Sequence, residues 1–309
     1  MFLWTVLSLF CIIKYILHLT TARCKSIKNL TGKTILITGG NSGLGLELAK
    51  NVASRGCTTI IADKTDGAET VRKLIKESNN EYIFYEFVDF TSFKSVRTFA
   101  EEFKNKYKQL DVLVNNAGVG NAMGKTEDGL EATMQINYFS HFLLTHLLLD
   151  VLLKTPHSRI IFTSSIAGYV SNLNKENLKC YIHAALAMMS KTLAHKLRGT
   201  GVTVNAHHPG MVKTNIVSSM NKDGASYFIK FIQFLFWLWG MDTDSGVQTM
   251  LHLVTSDEDT TAEFFMNCKP FYQPPIVCND KLRDTIWNLS EVYVNLKQEE
   301  KVDTVLNMI

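Results

Sequence analysis

From about Leu30 onward, short β-branched runs alternate with longer stretches whose apolar positions recur every three or four residues. That is the pattern of a parallel sheet covered by helices on both faces. Strands are expected over Thr34–Thr38 (TILIT), Thr58–Ala62, Tyr82–Val88, Asp111–Asn115, Arg159–Ser164 and Val202–Ala206. Helices fill the intervals. One runs from Gly43 to Arg55 and is stopped by Gly56, and the longest covers Gly129 to Leu153. The chain has no internal repeat, no low-complexity linker and only five prolines, so a single doubly wound α/β domain over residues 30–309 is expected.

Two apolar segments fall outside this alternation. Phe2 to Thr20 is apolar almost throughout, interrupted by Lys14 and His18, and close to the ~20 residues that cross a bilayer. No basic residue precedes it, whereas Arg23, Lys25 and Lys28 follow. A secretory signal has the opposite order, and positive flanks stay on the cytoplasmic side. Residues 1–22 therefore read as a membrane anchor, with Lys14 snorkelling toward an interface. A cleaved signal peptide is the competing reading. The second segment, Tyr227 to Trp239 (YFIKFIQFLFWLW), is too short to span a membrane and reads as a helix. It is either buried in the core or part of a lid over about 217–240 whose outer face dips into lipid.

Composition narrows the classes. With 309 residues, 46% of them apolar, the chain can bury one large core. The net charge of +3 is spread along the chain, which gives no footprint for nucleic acid. Cys11, Cys24, Cys57, Cys180, Cys268 and Cys278 form no C-x-x-C pair. Reduced thiols are expected, with no metal site.

The candidate chemistry begins directly after the first strand, at Thr38-Gly39-Gly40-Asn41-Ser42-Gly43-Leu44-Gly45. Small residues between a strand and a helix let backbone approach a pyrophosphate, and the helix N-terminus supplies free N–H groups and partial positive charge. Asp63, at the end of the second strand, is placed to hydrogen-bond the ribose hydroxyls of a dinucleotide and repel a 2′-phosphate. Lys64, next to it, pulls the other way. NAD is favoured, with NADP possible.

The spacing T-G-x-x-x-G-x-G resembles the short-chain dehydrogenase/reductase family, and the resemblance extends over nearly the whole chain after the anchor. It implies a Rossmann fold. Asp89 matches the family aspartate that approaches the adenine, although a plain turn former would also serve at that place. Asn115-Asn116-Ala117-Gly118 matches the cofactor-lining motif, and Asn137 (in INYFSHFLLT), Ser165 and Tyr181 match the catalytic residues. Pro209-Gly210-Met211-Val212-Lys213-Thr214 matches the segment that contacts the nicotinamide carboxamide. Tyr181 also borders the cofactor. One departure stands out: where the family's Y-x-x-x-K has lysine, this chain has Ala185. His183, two positions from Tyr181, is assigned to packing or solvent. In the family the lysine holds the nicotinamide ribose and lowers the tyrosine pKa, from about 10. A cation 4–5 Å away is worth roughly 3–4 kcal/mol at an effective dielectric near 20.

Within the family the chain is similar to the retinol dehydrogenase-like branch, through the anchor, the His141–Leu149 segment and a closing tryptophan helix over Leu282–Leu296. The resemblance implies hydride transfer between the cofactor and a lipophilic alcohol or carbonyl, retinoid-, steroid- or prenol-like. Ser165 and Asn137 would polarise the oxygen and Tyr181 would move the proton. Ala185 implies weakened turnover. The alternative is an inactive dinucleotide-binding sensor or scaffold on a membrane. The expected location is the endoplasmic reticulum membrane, with the domain facing the cytosol. The oligomeric state is open.

Overall fold

The computed structural model describes residues 21–120, 122–170, 173–174, 182–214, 216 and 227–308. Strands β1 (Thr34–Thr38), β2 (Thr58–Asp63), β3 (Ile83–Phe87), β4 (Val112–Asn115), β5 (Arg159–Thr163), β6 (Thr203–His207) and β7 (Phe264–Met266) are parallel. Their order is β3-β2-β1-β4-β5-β6-β7, and β8 (Lys269–Phe271) closes the edge antiparallel to β7. The chain winds outward from β1 to β3 and then resumes on β1's other side with β4. The carboxyl ends of β1 and β4 thus flank a topological switch point, where open parallel sheets bind ligands.

The two-residue period of each strand divides the core. Leu36, Leu113, Ile160 and Phe162 point to one face, and Ile35, Ile37, Val112, Val114 and Ile161 to the other. The second face is covered by α1 (Gly43–Ala53) and α9 (Thr243–Thr255), which supply Leu48, Val52, Val247 and Met250; α2 (Ala68–Ser78) adds Leu74. The first face is covered by α3 (Phe93–Lys106), a composite helix from Ala132, α7 (Ile182–Lys196) and α10 (Asp280–Tyr293). Both faces being apolar is why the strands read as continuous hydrophobic runs.

Three expectations need correction. The long helix over Gly129–Leu153 is in pieces: α4 (Ala132–Met134), a π-helical turn (Gln135–Phe139), α5 (Ser140–Leu147) and α6 (Leu149–Lys154). The π turn interrupts the α-helical hydrogen-bond pattern at Gln135–Phe139, and the helix breaks at Leu148, whose φ of −100° and ψ of 3° are not helical. Strands β7 and β8 were not anticipated; each has three residues, too few for a period. Their turn, Asn267-Cys268, has φ of 52° and 56°, the two positive values of a type I′ hairpin.

The third concerns where the domain starts. Residues 23–28 form a strap across α9: Arg23 pairs with Asp244 at 2.9 Å, Lys28 with Asp257 at 2.6 Å, and the Cys24 N–H donates to Gln248 Oε1 at 3.0 Å. Arg55 donates to the Ser26 carbonyl at 2.8 Å. The folded unit therefore begins before residue 30. All but the last two residues of the expected anchor lie outside the described residues, among which no helix is long and apolar enough to cross a membrane. The expected helix over Tyr227–Trp239 is present as α8. Phe234 is 51% and Trp237 67% exposed, so the fully buried alternative does not hold. The lid's earlier part, 217–226, lies outside the described residues.

Candidate active site

At the carboxyl ends of β1, β4, β5 and β6 a cavity of about 480 Å³ opens. Its floor is the turn from β1 into α1. Gly39 there has φ of 65°, and a Cβ on it would lie 2.9 Å from the Ala117 Cα. A Cβ on Gly45 would lie 2.2 Å from the Gly39 carbonyl. Only glycine permits the helix to start this close to the strand. Ser42 caps α1 by position without a side-chain bond, and the first turn carries no acidic residue. The opening N–H groups of α1 thus face the cavity unneutralised, beside Ser42, Gly43 and Leu44 in its wall.

Thr38 and Asn41 do not line the cavity; they hold the loop. Thr38 Oγ1 donates to the Val114 carbonyl (3.2 Å) and accepts from the N–H groups of Asn116 (2.8 Å) and Ala117 (3.0 Å), while Asn116 Nδ2 donates to the Thr38 carbonyl (3.0 Å). This welds the β1 and β4 turns together and presents Asn116, Ala117 and Gly118 to the cavity. Asn41 Nδ2 donates to the Thr65 hydroxyl at 3.0 Å and the Asp66 carbonyl at 3.1 Å, tying the loop to the turn after β2. That turn brings Asp63 and Lys64 to the rim. The Asp63 carboxylate is oriented by the N–H and hydroxyl of Thr65, at 3.1 and 2.9 Å. Asp89 also lines the wall, its carboxylate accepting from the Thr91 N–H and hydroxyl at 2.9 and 2.8 Å. Its turn-forming bonds and its place on the wall coexist.

Beyond the switch point lie the groups expected to do chemistry. Ser165, at the end of β5, lines the cavity, and its Oγ accepts from the Ala167 N–H at 3.2 Å. Asn137 sits in the π turn and also lines the cavity. Its Oδ1 accepts from the Val119 N–H at 2.8 Å and its Nδ2 donates to the Val119 carbonyl at 2.9 Å. The amide thereby clamps the loop after β4 while it lines the cavity. Pro209, Gly210, Val212 and Thr214 form the far wall. Val212 is seated by a parallel bridge to Met241, and Gly210 has φ of 90°. Tyr181 lies outside the described residues. Ala185 is fully buried, one helical turn into α7, among Ala184, Leu186, Met188 and Met189.

Histidines are what the sequence did not reveal. His141, His183 and His208 line the cavity. The His141 ring lies 3.1 Å from Asn115 Oδ1 and donates from Nε2 to the Ala117 carbonyl at 2.8 Å; burial holds its pKa down to about 4. Burial also lowers His183 to about 4, and burial with the nearby His183 ring does the same to His208. Its helix spacing to Tyr181 predicts a packing or solvent role for His183. The cavity instead wraps the start of α7, so that Ile182, His183 and Leu186 all reach it. Both rings keep Nδ1 buried with no hydrogen-bond partner.

The cradle fits a dinucleotide: glycine-limited backbone, a helix N-terminus with its N–H groups free, and a rim carboxylate near where a ribose would lie. A family model described as short chain dehydrogenase matches residues 33–225. Retinol dehydrogenase 12 of Bos taurus is 33% identical over 292 residues, covering 89% of this chain and 90% of its own. Retinol dehydrogenase 11 of Homo sapiens is 32% identical over 288 residues, covering 88% and 89%. Among solved structures, an uncharacterised protein from Mycobacterium paratuberculosis superposes with a TM-score of 0.69 at 23% identity, covering 89% of this chain and 98% of its own. A short chain dehydrogenase from Shigella flexneri complexed with NADP does so at 0.63 and 22% identity, covering 79% and 100%.

Proposed function

Because the chain belongs to the short-chain dehydrogenase/reductase family, in its retinol dehydrogenase-like branch, we propose that it interconverts a lipophilic alcohol and its carbonyl from the face of a membrane. Nicotinamide-dinucleotide-dependent oxidoreduction of alcohols and carbonyls is the activity of the family. The finer reading is carried by one observation: a single cavity is lined by the phosphate loop, Ser165 and the Pro209–Thr214 segment, with the apolar Ile182, Leu186, Ile216 and Phe236 around them. An apolar wall with few polar groups suits a lipid-like substrate.

When bound, the nicotinamide ring gives or takes the hydride. The chain's own residues do the rest. The α1 N–H groups and Gly39 hold the pyrophosphate, and Ser165 Oγ donates to the substrate oxygen. Tyr181 exchanges the proton with that oxygen. Asn137 acts through the Val119 backbone, fixing the loop that walls the site. Turnover of a panel of long-chain and isoprenoid alcohols and aldehydes with NAD(H) and NADP(H) tests the reading. An inactive dinucleotide-binding scaffold is the second reading, favoured by the burial of Ala185 among apolar side chains where a cation is expected. It predicts cofactor binding without turnover of any of the panel.

Asp63 makes NAD the preferred cofactor by at least a few-fold in affinity, and Asp63→Ala should shrink that preference. Nicotinamide fluorescence titrations with both cofactors measure it. Tighter binding of NADPH than NADH by the wild type would contradict the assignment.

The membrane reading places the domain on the cytosolic side of the endoplasmic reticulum. Two acceptor sequons, at Asn29 and Asn288, have exposed asparagines. Accessibility does not protect them, so the compartment decides their fate. Neither should carry sugar. A glycosidase-sensitive mass shift that disappears in Asn288→Gln would put the domain in the lumen.

A further inference from the structure

Helix α8 divides its aromatic residues between two surroundings. Phe236 lines the cavity, whereas Phe234 and Trp237 turn outward and stack on each other with ring centroids 6.0 Å apart. Positions three apart share a helix face, so the exposed pair forms one ridge. A globular domain gains nothing by leaving a stacked phenylalanine and tryptophan in water.

The place of this ridge says what covers it. Gly240 ends α8 and the chain passes through Asp242 straight into α9. At the start of α9, Asp244 holds Arg23 of the strap at 2.9 Å. The Ala22 carbonyl lies 3.9 Å from Cys268 Sγ, in the β7–β8 turn. Beyond that hairpin Tyr272 is 83% exposed, with Phe271 against it. Residues 22 and 23, which follow the apolar sequence 2–20, thus lie against the β7–β8 turn and the start of α9, just beyond the end of α8. Exposed lysines flank this region at Lys25, Lys213 and Lys269, suited to the headgroup layer.

We propose that α8 is a second membrane contact: its Phe234–Trp237 ridge lies in the interfacial layer of the bilayer that takes residues 1–20. The proposal rests on the anchored reading above. With 13 residues, α8 spans about 20 Å, short of the ~30 Å of a hydrocarbon core but ample for a helix lying along its surface. Its inner face meanwhile walls the cavity at Phe236, beside Ile216. The cavity mouth then opens beside lipid, and a substrate dissolved in the bilayer enters without crossing water.

The test uses the full chain reconstituted in phosphatidylcholine vesicles. Flotation reports the anchor. Tryptophan emission is then compared between wild type and Trp237→Phe, the difference isolating Trp237. In vesicles of lipid brominated on the acyl chain near the headgroup, that component should lose about half its intensity or more, and aqueous acrylamide should quench it poorly, as for an interfacial side chain. A floating protein whose Trp237 stays bright in brominated lipid and open to acrylamide overturns the α8 contact and leaves the anchor standing. Shielding from acrylamide without bromine quenching, growing with protein density, assigns the ridge to a second copy and also overturns it. A chain that does not float overturns the anchored reading itself.

Discussion

Ala185→Lys should raise turnover roughly ten- to a thousand-fold, the lower part of what one positioned acid–base group contributes and below it. An ammonium a few ångströms from Tyr181 favours its ionised form, and without it the tyrosine ionises only at higher pH. The wild-type basic limb for alcohol oxidation should therefore lie well above neutrality, and Ala185→Lys should draw it back. Tyr181→Phe should abolish turnover in both backgrounds; wild-type activity unchanged by that substitution would place the chemistry elsewhere. The surroundings of residue 185 set the risk. Ala185 is fully buried and not itself on the cavity wall, with Met188 and Met189 in the same apolar cluster. The lysine stem must pass between them, and an ammonium that stops short is buried unpaired at a cost of several kcal/mol. Helix propensity does not oppose the change. A melting curve beside the assay separates a collapsed variant from a folded one that gains nothing, and the latter outcome supports the inactive scaffold.

Acidification from pH 7 to pH 5 should destabilise the fold steeply. Burial holds His141, His146 and His183 at about 4 and His207 at about 3, and His208, which also faces His183, at about 4. Unfolded, each ring takes its proton near pH 6.5; folded, it stays neutral until far lower. Between those values the unfolded chain binds more protons, so stability present above pH 6.5 is lost as the pH falls. Each ring accounts for up to about 2 kcal/mol between pH 6.5 and 5. His146 offers the cleanest control: its ring packs at a tilt against Phe142 and Trp287, away from the cavity, with Nε2 buried and unpartnered. His146→Leu should flatten part of the dependence of Tm on pH. A melting temperature constant from pH 7.5 to 5 would show that the rings are solvated or protonated in the native state.

Much of the fold was readable because its signals are local. The strand β1, the glycines after it and the start of α1 announce themselves within a dozen residues, and Asp63 follows from the end of the next strand. The Pro209–Thr214 wall was readable through its resemblance to the family segment that contacts the nicotinamide carboxamide. What escaped depends on relations that periodicity does not carry. The π turn at Gln135–Phe139 carries Asn137, whose amide clamps the Val119 backbone. Three-residue strands such as Phe264–Met266 have no period to read. His183 was judged by its angle to Tyr181, and its place on the wall follows from α7 beginning at Ile182, where the helix end as well as one face meets the cavity. His208 had a signal in standing directly before Pro209-Gly210.

The strap has a mechanical consequence. A flexible linker lets a tethered domain swing through a volume that grows with linker length. Here Arg23 and Lys28 are pinned to Asp244 and Asp257, and the Ser26 carbonyl to Arg55, so almost no slack separates residue 21 from the folded body. Were residues 1–20 in a bilayer, as proposed above, the domain would ride at a fixed stand-off and heading, like a boat on its keel. Its footprint on the lipid would then be set, and it would meet a lipid-dissolved substrate by lateral diffusion in the plane instead of by reach.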